Sequence, residues 1–277
     1  MSKRQKFVLA TVVLMVEIIA SRAGLGMWLQ WRFRIGIFAL SALSATILAL
    51  KDEDFSGIEW LTLPILPVMF SLACVLAFPL MPAGFDTIFS LPVTVDTSFL
   101  LATAIKVLFM AFFAVGYYAA LLTSNIFNIA ALRTIQLLRV AHSIGFLTTV
   151  ATALLFYIVI FSLHLTSFFN FLLIFAVTLP LSFQSIWSQS LEMGIGEQTK
   201  RYSLVAALVL GEVAWILSFW PVEISIVALF LTAIFYELVG IIQYYFNERL
   251  NRRVANEFIL VAIAVFLITV FTAQWGL

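Results

Sequence analysis

The chain has 277 residues, of which 64% are hydrophobic and 10% charged, and its formal net charge is +1. That balance excludes a water-soluble fold with a wet face on each element, and it offers no basic field to draw in nucleic acid. A single cysteine, Cys74, excludes an intrachain disulfide, and two histidines on separate segments, His142 and His164, exclude a His-rich metal site.

A helix needs about 20 apolar residues to cross a bilayer core of roughly 30 Å. Runs of that kind recur along the whole chain, at 7–23, 34–50, 58–80, 98–122, 144–164, 168–187, 202–220, 222–246 and 258–275. The expected fold is therefore all-α: one transmembrane domain over residues 1–277, a polytopic bundle of nine helices with no soluble domain. No connection is long enough to house one.

The first run follows the basic stretch Lys3-Arg4-Gln5-Lys6, as a signal peptide would. Glu17 and Arg22 spoil the small-residue cleavage pattern, so a retained helix is expected. The second carries a small-residue seam of Ser41, Ala45 and Ala49, which lets helix backbones approach closely. The third contains Pro64, Pro67 and Pro79. An alternative starts the N-terminus outside and has this run dip in and return, which leaves eight crossings. The nine-span reading is preferred because 58–80 is long enough to cross and membrane helices tolerate proline.

The fourth run holds Lys106. After it, 125–143 alternates Ile126, Ile129, Ile135 and Leu138 with Asn125, Asn128, Arg133 and Arg139. This reads as an amphipathic cytoplasmic connector helix with Arg133 and Arg139 on lipid headgroups. It would also suit a cytoplasmic protein partner. The fifth run has a second small-residue seam, Gly145, Thr149 and Ala153. The sixth ends in the polar stretch from Ser182 to Ser190, either a helix end entering the headgroups or the lining of an inner vestibule. The seventh and eighth carry Glu212 and Glu237. Six of the seven tryptophans fall at run ends, where an aromatic belt belongs. The exception, Trp215, lies one turn from Glu212 and needs a partner for its indole N–H.

Lysine and arginine set the sidedness. With the N-terminus inside, the inner connections hold 11 of them and the outer ones Arg22, Arg32 and Arg34. The C-terminus is then outside, in a membrane of the bacterial cytoplasmic type.

The ionisable residues within apolar runs are the candidate functional groups. At about 1.5 Å of rise per residue, Glu17, Lys106 and Glu212 lie near one level, with Glu237 closer to the cytoplasm. An isolated charge in hydrocarbon is costly, so Lys106 is expected to pair with Glu212, or else with Glu17. A substrate- or proton-binding site of Lys106, Glu212, Glu17, Glu237 and Trp215 follows. Its foremost reading is a transport or carrier-type protein. The alternatives are a non-catalytic membrane subunit that holds a partner protein, and an enzyme acting on a lipid-linked substrate at the inner face. No H-E-x-x-H, G-x-S-x-G or P-loop pattern occurs, so no catalytic residue, metal or cofactor is assigned.

Overall fold

Long apolar stretches in lipid can satisfy their backbone polar groups only within a helix, and helices are what the chain forms. The computed structural model describes residues 2–22, 31–51, 59–82, 87–88, 91–92, 95–130, 136–190, 196–248 and 250–272. Among them run α1 (Lys3–Arg22), α2 (Trp31–Leu50), α3 (Glu59–Ala77), α4 (Val95–Ala130), α5 (Leu138–Ser162), α6 (Ser167–Ser190), α7 (Glu197–Leu217), α8 (Ile224–Phe246) and α9 (Arg252–Thr272). The sole strand pairing among the described residues joins Thr87–Ile88 to Leu91–Pro92.

Among the described residues, six helices are long and apolar enough to cross a membrane: α3, α4, α5, α6, α8 and α9. The chain is a helical membrane bundle, and of the nine expected spans these six have the length and hydropathy to cross. The charges of α1 and α7, and the short apolar part of α2 (Ile35–Leu50), keep those three helices out of the group.

At the centre stand α3 and α5. On one side α1, α2 and α4 gather round a core that includes Leu14, Phe70, Phe113 and Tyr117. On the other, α6, α7 and α8 pack round Tyr157, Leu210, Leu231 and Phe235. α9 lies on α8, with most of its surface outward. Such outward apolar faces need no explanation where the solvent is lipid.

The helix α3 continues through both internal prolines, and a 3-10 turn, Phe78–Leu80, ends it. It makes no mid-membrane reversal. Pro67 has no N–H for the carbonyl of Leu63. That oxygen instead accepts a 2.9 Å hydrogen bond from Ser124 Oγ of α4. Two buried hydroxyl pairs tie further helices: Thr46 with Tyr117 at 2.9 Å (α2 to α4), and Tyr157 with Thr178 at 2.8 Å (α5 to α6).

The most extensive helix contact among the described residues is α6 on α7. Small residues make it possible: Ser203, Ala206, Ala207, Gly211 and Ala214 are all buried on α7. A Cβ at Gly211 would sit 2.9 Å from the Phe171 ring and 3.3 Å from the Phe171 carbonyl oxygen. This seam was not singled out from the sequence, whereas Gly145 of the predicted α5 seam does meet α4, with Thr123 3.0 Å from its virtual Cβ.

Of the segment 125–143, where a connector helix was expected, residues 131–135 lie outside the described residues. Residues 125–130 complete α4, Gln136 and Leu137 form a turn, and 138–143 open α5. At 36 residues α4 is about 54 Å long, well beyond a bilayer core of roughly 30 Å. Its last turns are held by Lys3 Nζ, which donates to Asn125 Oδ1 at 3.0 Å.

Candidate functional site

One end of the bundle collects polar side chains. There the N-terminus of α5 meets the C-termini of α6 and α8 and the N-terminus of α9. Residues four apart share a helix face, and two such pairs interlock: Gln243 of α8 and its C-cap Asn247 with Ser185 and Gln189 of α6. Gln243 Nε2 donates to the Ser185 carbonyl at 3.1 Å and to Ser185 Oγ at 2.8 Å. Asn247 Nδ2 donates to Gln189 Oε1 at 2.9 Å and to the Gln243 carbonyl at 2.9 Å.

His142 joins α5 to the same place. Its Nε2 lies 2.8 Å from the Ser188 carbonyl oxygen, and its ring packs on Phe127 at 5.4 Å between centroids. A carbonyl can only accept, so Nε2 carries the proton and Nδ1 is the acceptor of the neutral ring.

These residues rim a cavity of about 540 Å³. Its polar part is Arg139, His142, Ser143, Gln189, Gln243 and Asn247; its apolar part is Phe146, Leu147, Val150, Tyr236, Tyr244 and Phe258. The aromatic wall is continuous: Phe146 meets Tyr236 at 5.5 Å, Tyr236 meets Phe258 at 5.7 Å, and Phe258 meets Tyr244 at 5.8 Å. Gly240 allows this closeness, because a Cβ there would stand 3.0 Å from the Phe258 ring. Ser143 and Leu147 are exposed on α5, so the cavity is a groove between α5 and α9, floored by α8 and open sideways.

Much of the polar stretch 182–190 is buried within the bundle. Ser182, Gln184, Ser185 and Ser188 are buried, with partners on neighbouring elements for three of them: Ser182 Oγ donates to the Ser203 carbonyl at 3.2 Å, and Ser185 and Ser188 receive Gln243 and His142.

The intramembrane charges are scattered instead of gathered. Glu17 accepts a hydrogen bond from Ser41 Oγ, which ties α1 to α2. Lys106 is half-buried on the stripe of α4 that also carries Ala102, Met110 and Phe113. Glu212 is exposed on α7. Among the described residues, no ion pair joins Lys106 to Glu212 or to Glu17. The expected Lys106–Glu212 pair is not formed, because α4 and α7 belong to opposite halves of the bundle. Sequence depth gives the level of a residue, not the side of the bundle on which its helix lands.

Glu237 is half-buried on α8, and its Oε1 is enclosed without a hydrogen-bond partner among the described residues. Trp215 falls in the last turn of α7, 41% exposed, with its ring 5.6 Å from Phe171 and 6.1 Å from Phe168. It is an edge residue and not a deep one. Arg139 stands at the groove's mouth, while Arg133 lies outside the described residues. Gln243, Asn247, Tyr236, Tyr244 and Phe258 were not foreseen, although the Gln243/Asn247 spacing just before Arg249, Arg252 and Arg253 was a visible signal.

Fold and site together define an integral membrane protein of the polytopic helical class. Residues 18–272 match the model of a family described as "Protein of unknown function (DUF5656)", and the chain belongs to that family. No curated protein and no solved structure matches it.

Proposed function

We propose that this membrane protein binds an amphipathic, lipid-linked ligand with an anionic head in the groove between α5 and α9. The observation that carries the reading is the groove itself, in which a mouth of Arg139, His142 and side-chain amides leads into an aromatic and aliphatic trough. Arginine and imidazole suit phosphate or carboxylate, and the sideways opening suits a molecule that arrives within the bilayer. In this reading all nine helices cross a cytoplasmic-type membrane, with the N-terminus inside and the C-terminus outside. The meeting of alternate helix ends at the groove's mouth supports it, as does the placing of Arg139, Lys200, Arg201, Arg252 and Arg253 towards one side.

Two activities are compatible with such a site: chemistry on the ligand's head, and carriage of the ligand as the transport reading requires. Carriage is supported by Glu237, a carboxyl with an enclosed, unpartnered oxygen on α8, farther from the mouth than Gln243. Photo-crosslinking in liposomes tests the binding. A phospholipid with an anionic head and a photoreactive acyl chain is expected to label peptides containing 143–150 and 236–258. Arg139→Gln and Val150→Trp should each reduce the yield severalfold. Equal labelling in wild type and both variants would remove the groove from the account. Carriage is then read as movement of a fluorescent lipid between leaflets, lost in Glu237→Gln while the crosslink stays.

A further inference from the structure

Backbone carbonyls fix the orientation of the polar side chains at the groove's mouth, because a carbonyl can only accept. His142 Nε2 meets the Ser188 carbonyl at 2.8 Å and is the protonated nitrogen of its ring. Gln243 Nε2 meets the Ser185 carbonyl at 3.1 Å, which settles which end of that amide is the nitrogen. Asn247 Nδ2 meets the Gln243 carbonyl at 2.9 Å and gives its second hydrogen to Gln189 Oε1. Each contact uses a donor and leaves an acceptor over. His142 Nδ1, Gln243 Oε1 and Asn247 Oδ1 have no hydrogen-bond partner among the described residues.

The spare donors are fewer. Gln189 keeps its Nε2 hydrogens, and Arg139 keeps its guanidinium, which makes no ion pair among the described residues. Ser143 is a hydroxyl and serves either way. Among the described residues, Arg139 is the only Lys or Arg that lines the groove, and no carboxylate lines it. A phosphomonoester or carboxylate head would satisfy Arg139 but has no hydrogen for the three acceptors. An ammonium would satisfy the acceptors, yet it sets a second cation near Arg139 with no carboxylate to offset it. Hydroxyl groups supply hydrogens without adding charge.

We propose that the head held at the mouth is a monoanionic phosphodiester bearing hydroxyl groups, as in a lipid whose phosphate is esterified to glycerol, inositol or a sugar. One phosphodiester matches the one arginine, which can grip two of its oxygens at once. The hydroxyls donate to His142 Nδ1, Gln243 Oε1 and Asn247 Oδ1. This assignment rests on the reading of the groove as a lipid site and narrows the head within it.

Competition against the photoreactive phospholipid, with the full chain in phosphatidylcholine vesicles, is the test. Phosphatidylglycerol and phosphatidylmethanol carry the same single charge, and only the first has hydroxyls on its head. Phosphatidylglycerol or a polyprenyl phosphosugar should displace the probe about tenfold better than phosphatidylmethanol, because acceptors left unpaired weaken the analogue. Whichever of the two competes more tightly tells whether the polyol is glycerol or a sugar. Phosphatidic acid, a phosphomonoester, should do no better than phosphatidylmethanol. Asn247→Ala, at an exposed position, should cut the ratio severalfold, whereas Arg139→Gln should weaken all competitors alike. Damage to the fold alone would weaken every competitor and leave the ratio as it was. Equal displacement by polyol and methyl esters from a groove that still labels, or a ratio unchanged in Asn247→Ala, would overturn the assignment and leave the groove a lipid site. A wild-type groove that takes no label would overturn both.

Discussion

Ser124 Oγ donates to the carbonyl of Leu63, the oxygen that Pro67 leaves without its helical N–H. Proline in a membrane helix exposes an acceptor that hydrocarbon cannot satisfy, and here a neighbouring helix supplies the donor. Ser124→Ala is expected to lower stability by about 1–3 kcal/mol, the usual cost of stranding a buried acceptor. In a Pro67→Ala background, where the helix regains its own donor, the same substitution should cost less. Unfolding in detergent measures the cycle, and equal losses in both backgrounds would deny the coupling.

Gly211→Ala should destabilise the α6–α7 pair by about 1–3 kcal/mol, because the added methyl meets backbone as well as a ring. Gly36→Ala is the contrast. Nothing lies within 4 Å of a Cβ there, and it is expected to be neutral or to gain up to about 1 kcal/mol from helix propensity. Thermal midpoints of the two variants, compared under one detergent, decide the matter.

Gln243→Leu removes both bonds from α8 to Ser185 and should cost about 1–3 kcal/mol. Ser185→Ala should cost less, since the amide keeps the backbone carbonyl. The double variant should be no worse than Gln243→Leu alone. Additive losses would mean the two side chains act independently.

Cysteines at Gln136 and Asn251 are expected to label from one face of the membrane and a cysteine at Thr166 from the other. The first two residues adjoin the N-termini of α5 and α9, and Thr166 lies between α5 and α6. Labelling of all three from one side would break the alternation of α5, α6, α8 and α9 on which the groove depends.

Much of the bundle was legible because hydrocarbon imposes a simple rule: each long apolar run becomes a helix, and the runs containing α3, α5 and α6 end within a few residues of the predicted bounds. The groove was less legible. Arg139 was visible as a basic residue near the surface, but the partners that make a site of it come from α6, α8 and α9, and a linear pattern does not say which helix ends meet. Lys106 and Glu212 fail for the same reason. Their levels can be counted along the chain, whereas their azimuths depend on a packing order that puts α3 and α5 between them. Trp215 shows a smaller limit, since a helix that stops at Leu217 turns a deep residue into a rim residue.

Phe258 forms one wall of the groove, yet its helix leans on the rest of the protein through α8. A ligand in the groove would then be held at two places with different kinetics. The head would be held by Arg139, His142 and the amides, which stand on the packed helices α5, α6 and α8 and would set the choice of ligand. The tail would be enclosed by α9, which packs on the bundle mainly through α8, so that displacement of this one helix would govern how fast the ligand leaves. In that reading residence time and selectivity would rest on different parts of the chain, the first on α9 and the second on the ends of α5, α6 and α8.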